Sequence, residues 1–105
     1  MSELDFDLTV AQDAQGGSRV TLRGELDLGS APQLEQALAA TNGRVVLDLS
    51  RLTFMDSTGV RVLLEAAERG GRELRIVPPP GGDARITFEE TGIARLLPLV
   101  DEEGP

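Results

Sequence analysis

Apolar and polar residues alternate along the first part of the chain. Apolar side chains stand at every second position from Leu4 to Val10, which is the period of a strand with one buried face. A loop of glycine and polar residues follows at 12–18, and the same alternation then runs over 19–23 and ends at Gly24. Two alternating segments joined by a short polar loop predict an antiparallel hairpin.

The middle of the chain carries helical and strand patterns in turn. Ser30 stands where an N-cap would, with a proline in the first turn and a glutamine three residues on, so the pattern predicts a helix over 31–40. The apolar run 45–49 is typical of a strand buried on both faces. A second amphipathic pattern predicts a helix from about Ser57 to Arg69, which the chain reaches through a loop.

The last third of the chain predicts shorter elements. A strand is expected over 74–77, and the prolines and glycines of 78–82 form a loop that cannot continue it. A third helix is predicted from its cap at Asp83 to Glu90, followed by an edge strand over 96–100.

This order of elements predicts a single α/β domain over residues 1–105. The expected fold is a mixed four- to five-stranded sheet with an antiparallel first hairpin, right-handed βα crossovers and helices packed on the sheet. A chain of 105 residues is long enough to bury one hydrophobic core. We expect an ordered core over about 4–100 and a frayed tail over 101–105.

Composition narrows the range of functions. Eighteen acidic against ten basic side chains give a net charge of −8, which disfavours nucleic acid and anionic membranes and favours a basic protein surface as partner. The sequence contains no His or Cys, the usual general base, thiol nucleophile and zinc ligands, and no phosphate-binding P-loop. We therefore expect a non-enzymatic protein without cofactor or metal.

The absence of a leader pattern or a long apolar run predicts a cytoplasmic location without membrane insertion.

The segment from Val45 to Val60 carries the most informative chemistry. It predicts a buried strand that leads through a loop to the start of a helix, where Ser57 and its neighbours place hydroxyl groups. Free backbone N–H groups and the positive end of the helix dipole favour an anion there, so a phosphate on Ser57 is expected to be held without unfolding its surroundings. Local chemistry alone also allows, and favours, helix capping as the role of these side chains.

Two short motifs resemble signatures of a known family. Asp56-Ser57-Thr58-Gly59, after a Val-Leu-Asp-Leu-Ser strand, resembles the phosphorylation motif of the anti-sigma factor antagonists, the STAS-domain family. Gly-Glu-Leu-Asp at 24–27 is similar to the second signature of that family, and Thr-Gly-Ile at 91–93 extends the likeness. The resemblance runs in order from about residue 6 to residue 100.

The resemblance implies a phosphorylation switch. Ser57 is the implied phosphoacceptor, with Thr58 as a minor alternative, and Asp56, Gly59 and Asp27 are implied to lie on the partner surface, with Gly59 allowing a partner to approach closely. In the family, the unphosphorylated form binds an anti-sigma factor that is often also the serine kinase, and so releases a sigma factor. Phosphorylation breaks that complex, a phosphatase is an expected further partner, and ATP belongs to the kinase.

The second helix offers a further candidate docking edge. Val62 and Ala66 are predicted to lie on a different flank from the core stripe that includes Leu63 and Leu64. The alternative is that these two side chains pack under a neighbouring element.

A different function fits the same fold. The alternative is a constitutive STAS interaction module, for instance a subunit of a larger signalling or transport complex, in which Ser57 is only a helix cap. Members of the family usually continue past the last strand into another helix, which we do not find in this sequence.

Overall fold

Four strands form one mixed sheet in the order β1-β2-β3-β4. β1 (Phe6–Gln12) pairs antiparallel with β2 (Ser18–Leu26), whereas β2, β3 (Gly43–Met55) and β4 (Arg72–Val77) run parallel. The computed structural model describes residues 6–70 and 72–100, so Leu4 and the tail 101–105 lie outside the described residues. The predicted antiparallel hairpin and mixed α/β sheet are confirmed.

Three helices follow the parallel strands. They are α1 (Ala31–Ala39), α2 (Ser57–Glu68) and α3 (Gly82–Glu90), and a 3₁₀ turn over Ile93–Arg95 comes after α3. α1 packs beside α2, and α3 packs against β3. None of the described helices has the length and apolarity that crossing a membrane requires.

Alternate side chains of the strands build the core. On one face of the sheet, buried aliphatic residues of β2, β3 and β4 meet buried residues of all three helices. The members of this cluster that are fully buried include Val20, Leu22, Leu34, Leu47, Leu49, Leu63, Ile76 and Phe88. Removing these apolar side chains from water supplies the main driving force for folding, and it fixes which face of each strand points inward.

The opposite face of the sheet carries both polar and apolar side chains. In β2, Arg19 and Thr21 are partly exposed between fully buried neighbours, and in β3 the intervening residues are Val46 and Asp48. Arg19 donates a 2.6 Å hydrogen bond to Asp48, which is 7% exposed. The predicted burial of the run 45–49 on both faces is confirmed for four of its five residues, with Val46 half-buried, and on this face the buried side chain of Asp48 is held in an ion pair.

Two strands extend beyond their predicted ends. β2 continues past Gly24 to Leu26, and β3 continues through the predicted loop to Met55. The two strands stay paired because their register shifts twice, between Thr21 and Arg23 and again at Gly24. Such irregularities let unequal lengths of chain remain hydrogen-bonded, so β3 runs directly into the residue that precedes α2.

The predicted edge strand over 96–100 is reduced to a single bridge between Ile76 and Leu99. Ile76 N donates to Pro98 O at 2.9 Å, and Val100 N donates to Ile76 O at 2.8 Å. Because Pro98 has no N–H and the preceding residues form the 3₁₀ turn, the ladder does not extend. Among the described residues, the sheet therefore has four strands.

The predicted cap of α3 is also wrong. The N-cap position is Gly81, which offers no side-chain hydrogen bond, and Asp83 lies inside the first turn. An acidic side chain there still interacts favourably with the positive end of the helix dipole. Gly92, with a φ of 71°, follows the last helical turn in the left-handed conformation that glycine adopts without strain.

Candidate functional site

The two sequence motifs meet at one edge of the sheet. Asp27 follows the end of β2, and Asp56 follows the end of β3. Neighbouring parallel strands bring their carboxyl ends to the same edge, which in α/β proteins is where sites are commonly built. Asp56 N donates to Leu26 O at 3.2 Å, so a backbone hydrogen bond fastens the two segments together.

Asp56 caps α2. Its Oδ1 accepts hydrogen bonds from Thr58 N at 2.9 Å and Gly59 N at 3.1 Å, while its own backbone is extended. This is the geometry of an N-cap, in which a carboxylate satisfies the unpaired N–H groups of the first turn. The cap is therefore Asp56 and not Ser57. The N–H groups expected to hold a phosphate are already occupied by this carboxylate.

Ser57 is the first residue of α2, and it is exposed. Within 6–70 and 72–100, no residue forms a hydrogen bond with its hydroxyl group. Thr58, the second hydroxyl of the motif, is partly buried. The structure thus presents the Ser57 hydroxyl to solvent at a helix start that does not depend on it.

Gly59 is buried inside the chain. A Cβ at this position would lie 2.7 Å from the Met55 Cγ and 3.0 Å from the Leu26 carbonyl oxygen, which is closer than real Cβ contacts. Glycine therefore allows the first turn of α2 to pack on the ends of β2 and β3. The close approach that we attributed to a partner occurs within this chain.

Asp27 and Ser30 form a tight hydrogen-bonded turn. The Asp27 Oδ1 accepts from Gly29 N at 3.0 Å and from Ser30 N at 3.1 Å. The Ser30 hydroxyl donates to Glu25 O at 2.8 Å and accepts from Asp27 N at 3.0 Å. Ser30, predicted as the N-cap of α1, makes no side-chain cap hydrogen bond because its hydroxyl is used in this turn.

The sequence allowed two roles for Asp27, a turn residue or a partner contact, and the structure confirms that it forms a turn. Asp-Leu-Gly-Ser at 27–30 places a side-chain acceptor two and three residues before the N–H groups it binds, as in an Asx turn. The exposed Leu28 at its tip was not predicted, because an isolated leucine in a loop gives no periodic signal. Both features lie beside the phosphorylation motif in space.

The predicted docking edge on α2 is covered. Val62 and Ala66 are only 2% and 6% exposed. They line a groove of about 330 Å³ between α2 and α1, with Leu38 and Ala39 on the α1 side. The alternative stated for these two side chains is therefore confirmed, since they pack beside α1 on the flank that the helical pattern left open.

The ion pair on the opposite face of the sheet perturbs one carboxylate. Burial alone would raise the pKa of Asp48, but hydrogen bonds from Ser50 and the neighbouring charge of Arg19 outweigh it and hold that pKa below its ordinary value. Ser50 N donates to the Asp48 Oδ1 at 2.9 Å. Among the described residues, no hydrogen bond links the Arg19–Asp48 ion pair to the residues of the candidate site. Among the residues that the structure describes, no group of three or more acidic side chains is placed to hold a metal ion.

Comparison with known protein families places the fold and its two motifs in one class. The family model described as "Mlab, STAS domain" matches residues 10–100. This match covers most of the chain and includes both motifs at the sheet edge. The chain therefore belongs to the STAS-domain family.

The similar proteins include anti-sigma factor antagonists. The anti-sigma-F factor antagonist RsfB of Mycobacterium tuberculosis is 30% identical over 79 residues, which cover 71% of this chain and 65% of RsfB. BtrV of Bordetella bronchiseptica, also named as an anti-sigma factor antagonist, is 35% identical over 89 residues, covering 76% of this chain and 74% of BtrV. The match thus spans just under two thirds of the length of RsfB.

A solved structure agrees with the sequence relatives. The crystal structure of an anti-sigma factor antagonist from Mycobacterium paratuberculosis superposes with a TM-score of 0.74 at 30% identity, over 97% of this chain and 92% of that chain. The shared topology extends through nearly the whole described sheet and its helices.

Proposed function

We propose that this protein is an anti-sigma factor antagonist whose binding is switched by phosphorylation of Ser57. The observation that carries the proposal is the exposed Ser57 hydroxyl, which has no hydrogen-bond partner among the described residues and stands at a helix start already capped by Asp56. The names of the similar proteins support the same function. The unphosphorylated form binds an anti-sigma factor, and a sigma factor is thereby released.

The proposed switch needs no refolding. Because the carboxylate of Asp56 holds Thr58 N and Gly59 N, a phosphate on Ser57 would leave the helix cap intact. The phosphate adds about −1.5 to −2 charges at neutral pH. It would stand next to Asp56, with Asp27 on the adjoining turn, and water solvates these charges as long as the surface is free.

A bound partner changes this balance by excluding water. Two unit charges about 4 Å apart interact with roughly 4 kcal/mol at an effective dielectric near 20. Turning a complex from 99% to 1% populated takes about 5.5 kcal/mol. Repulsion, desolvation and steric clash at a covered phosphoserine together reach this scale, so one phosphate is sufficient to break the complex.

The remaining components of the switch belong to other proteins. In our proposal the anti-sigma factor is the serine kinase and binds the ATP, a phosphatase restores the hydroxyl, and this chain acts in the cytoplasm without catalysis, cofactor or metal. Asp27, Asp56 and Thr58 form the surface around Ser57 that the partner covers, and Thr58 is the secondary phosphoacceptor.

Phosphorylation and partner binding are tested together. The full chain is incubated with lysate of its own host and ATP, and its peptides are analysed by mass spectrometry beside a Ser57→Ala control. We expect phosphate on Ser57 that disappears in the control.

Tagged Ser57→Ala protein is then used to retain partners, which mass spectrometry identifies. We expect an anti-sigma factor, which does not remain bound to Ser57→Asp protein. Equal retention by the two variants would contradict the switch.

A constitutive STAS interaction module is the second candidate. The matching family description names a STAS domain, which fits this function as well, although Ser57 is not the helix cap that this function assumed, because Asp56 caps α2. Folded protein that takes up no phosphate from an active lysate, and that co-purifies stably in a large complex, would favour this function over the switch.

A further inference from the structure

The most exposed large apolar side chain of the described residues is that of Leu28, two residues after Leu26, whose carbonyl oxygen accepts from Asp56 N. Leu28 is 73% exposed at the tip of the turn between β2 and α1. Phe54, which precedes Asp56 by two residues at the end of β3, is 37% exposed. Single exposed apolar side chains are common on protein surfaces, so it is the position of Leu28 at this edge, together with its exposure, that points to a partner contact.

The turn that carries Leu28 is fixed from both sides. Ala31 N and Ser30 N donate to Asp27 O at 2.8 and 3.2 Å, in addition to the bonds that the Asp27 carboxylate accepts. The buried Ser30 hydroxyl ties the same turn to Glu25 O. The backbone on each side of Leu28 is therefore ordered before any partner binds, which lowers the entropy lost on association.

The surroundings of Leu28 are acidic. Asp27 is its direct neighbour, and the hydrogen bond from Asp56 N to Leu26 O holds the start of α2 against the same strand end. A partner that covers this edge needs an apolar pocket bordered by basic side chains. The net charge of −8 on this chain also favours a partner with a basic surface.

We propose that Leu28 is the apolar anchor by which the anti-sigma factor recognises this protein. The inference rests on the proposed function and adds to it a residue outside both sequence motifs. Leu28 supplies affinity, and Ser57 supplies control. Burial of a leucine side chain in a partner pocket contributes about 1.5–3 kcal/mol, so its loss should weaken binding by roughly tenfold or more.

The test is a titration of the unphosphorylated full chain against the purified recombinant anti-sigma factor identified in the retention experiment. Leu28→Ser removes the anchor, and Leu28→Met preserves an apolar side chain of similar volume. Leu96→Ser is the matched control, since Leu96 is 67% exposed and follows the 3₁₀ turn near the other end of the chain. Thermal unfolding of each variant checks that the fold is unchanged.

We expect Leu28→Ser to weaken binding roughly tenfold or more, with wild-type affinity in Leu28→Met and Leu96→Ser. The loss should be equal at low and high salt, because the contact is apolar and unscreened. Wild-type affinity in Leu28→Ser would overturn this inference alone, and so would an equal loss in Leu96→Ser. If the wild-type chain binds no anti-sigma factor, the proposed function and the inference both fail.

Discussion

Asp56 and Ser57 are adjacent in the chain, but the structure gives them separate tasks. The Asp56 carboxylate turns back to the N–H groups of the first helical turn, whereas the Ser57 hydroxyl points to no partner among the described residues. An N-cap contributes to the stability of its helix, and an exposed hydroxyl without a hydrogen bond contributes very little. The cap that stabilises α2 and the hydroxyl of the proposed switch thus belong to different side chains.

Substitutions at these two positions should therefore differ in their effect on folding. Asp56→Ala is expected to lower the free energy of unfolding by about 1 kcal/mol, within a range of roughly 0.5–2 kcal/mol, while Asp56→Asn keeps an accepting oxygen and most of the cap. Ser57→Ala should change it by less than about 0.5 kcal/mol. Denaturant unfolding measures the free energy of unfolding of all three variants. A larger loss of stability in Ser57→Ala than in Asp56→Ala would contradict the assignment of the cap to Asp56.

The choice of capping residue could not be made from the sequence. Asp56 and Ser57 both favour N-cap positions, as do Asp27 and Ser30, and the pattern of apolar residues fixes a helix start only to within a residue or two. In the structure the pairing of β3 with β2 extends to Met55, which sets the start of α2 one residue after Asp56. At Ser30 the hydroxyl is taken by Glu25 O, five residues away in the chain.

At the scale of elements, the start of α2 is packed unusually close to two strand ends. Gly59 provides the space, since a methyl group there would meet the Met55 side chain and the Leu26 backbone. The Met55 side chain has room to adjust only if its buried neighbours move, and the Leu26 carbonyl is fixed by its bond to Asp56 N. This contact holds the phosphorylation motif against β2.

Gly59→Ala should destabilise the protein even though alanine favours helices. The helical preference of alanine gains about 1 kcal/mol, but overpacking in a filled site costs roughly 1–3 kcal/mol, so we expect a net loss of up to about 2 kcal/mol. Gly70→Ala is the control, because no atom lies within 4 Å of a Cβ built there. Chemical denaturation of both variants provides the comparison, and a stabilised Gly59→Ala protein would refute the close packing.

The ion pair between β2 and β3 predicts a pH dependence of stability. Arg19 and Ser50 hold the pKa of Asp48 below its ordinary value despite burial, so the folded state favours the charged carboxylate. The resulting stability is present above the unfolded pKa of about 4 and is lost as the pH falls through the lower folded value. Unfolding free energies measured from neutral pH down to about pH 2 should fall less steeply for Asp48→Asn than for the wild-type chain. Identical slopes would show that the pair is not linked to folding.

The order of elements was predictable from the sequence, and several boundaries were not. Periods of two and of about 3.6 residues identify the hairpin and the first two helices directly, because they reflect which side chains are buried. Extension of β3 to Met55 depends on two shifts of register against β2, which involve residues more than twenty positions apart. The burial of Val62 and Ala66 likewise depends on where α1 packs, which no local pattern contains.

For the molecule as a whole, the proposed partner surface is the carboxyl edge of β2 and β3. Both family motifs, the Asp27 turn and the exposed Leu28 lie at this edge, although they come from two separate stretches of the chain. The resemblance in the sequence predicted that the motifs share a surface. The structure adds the hydrogen bond between Leu26 and Asp56 that joins them.

A net charge of −8 predicts that partner binding depends on salt. Raising the ionic strength from about 0.05 M to 0.5 M should slow association with a basic partner, because screening shortens the range of attraction. Asp27→Asn keeps the turn-forming side-chain oxygen but removes one charge, so it should weaken the salt dependence while the fold is maintained. Association rates across a salt series measure this effect, and rates that do not change with salt would contradict an electrostatic contribution.

The cap formed by Asp56 also bears on how such a protein changes over evolutionary time. Since no hydrogen bond among the described residues depends on the hydroxyl at position 57, the proposed covalent control would be lost by a single codon change that leaves the stability of the domain unchanged. The reverse change can introduce control into a domain that binds permanently. Under the proposed switch, regulated and unregulated descendants of one ancestor would then differ at a single position whose change leaves the fold intact.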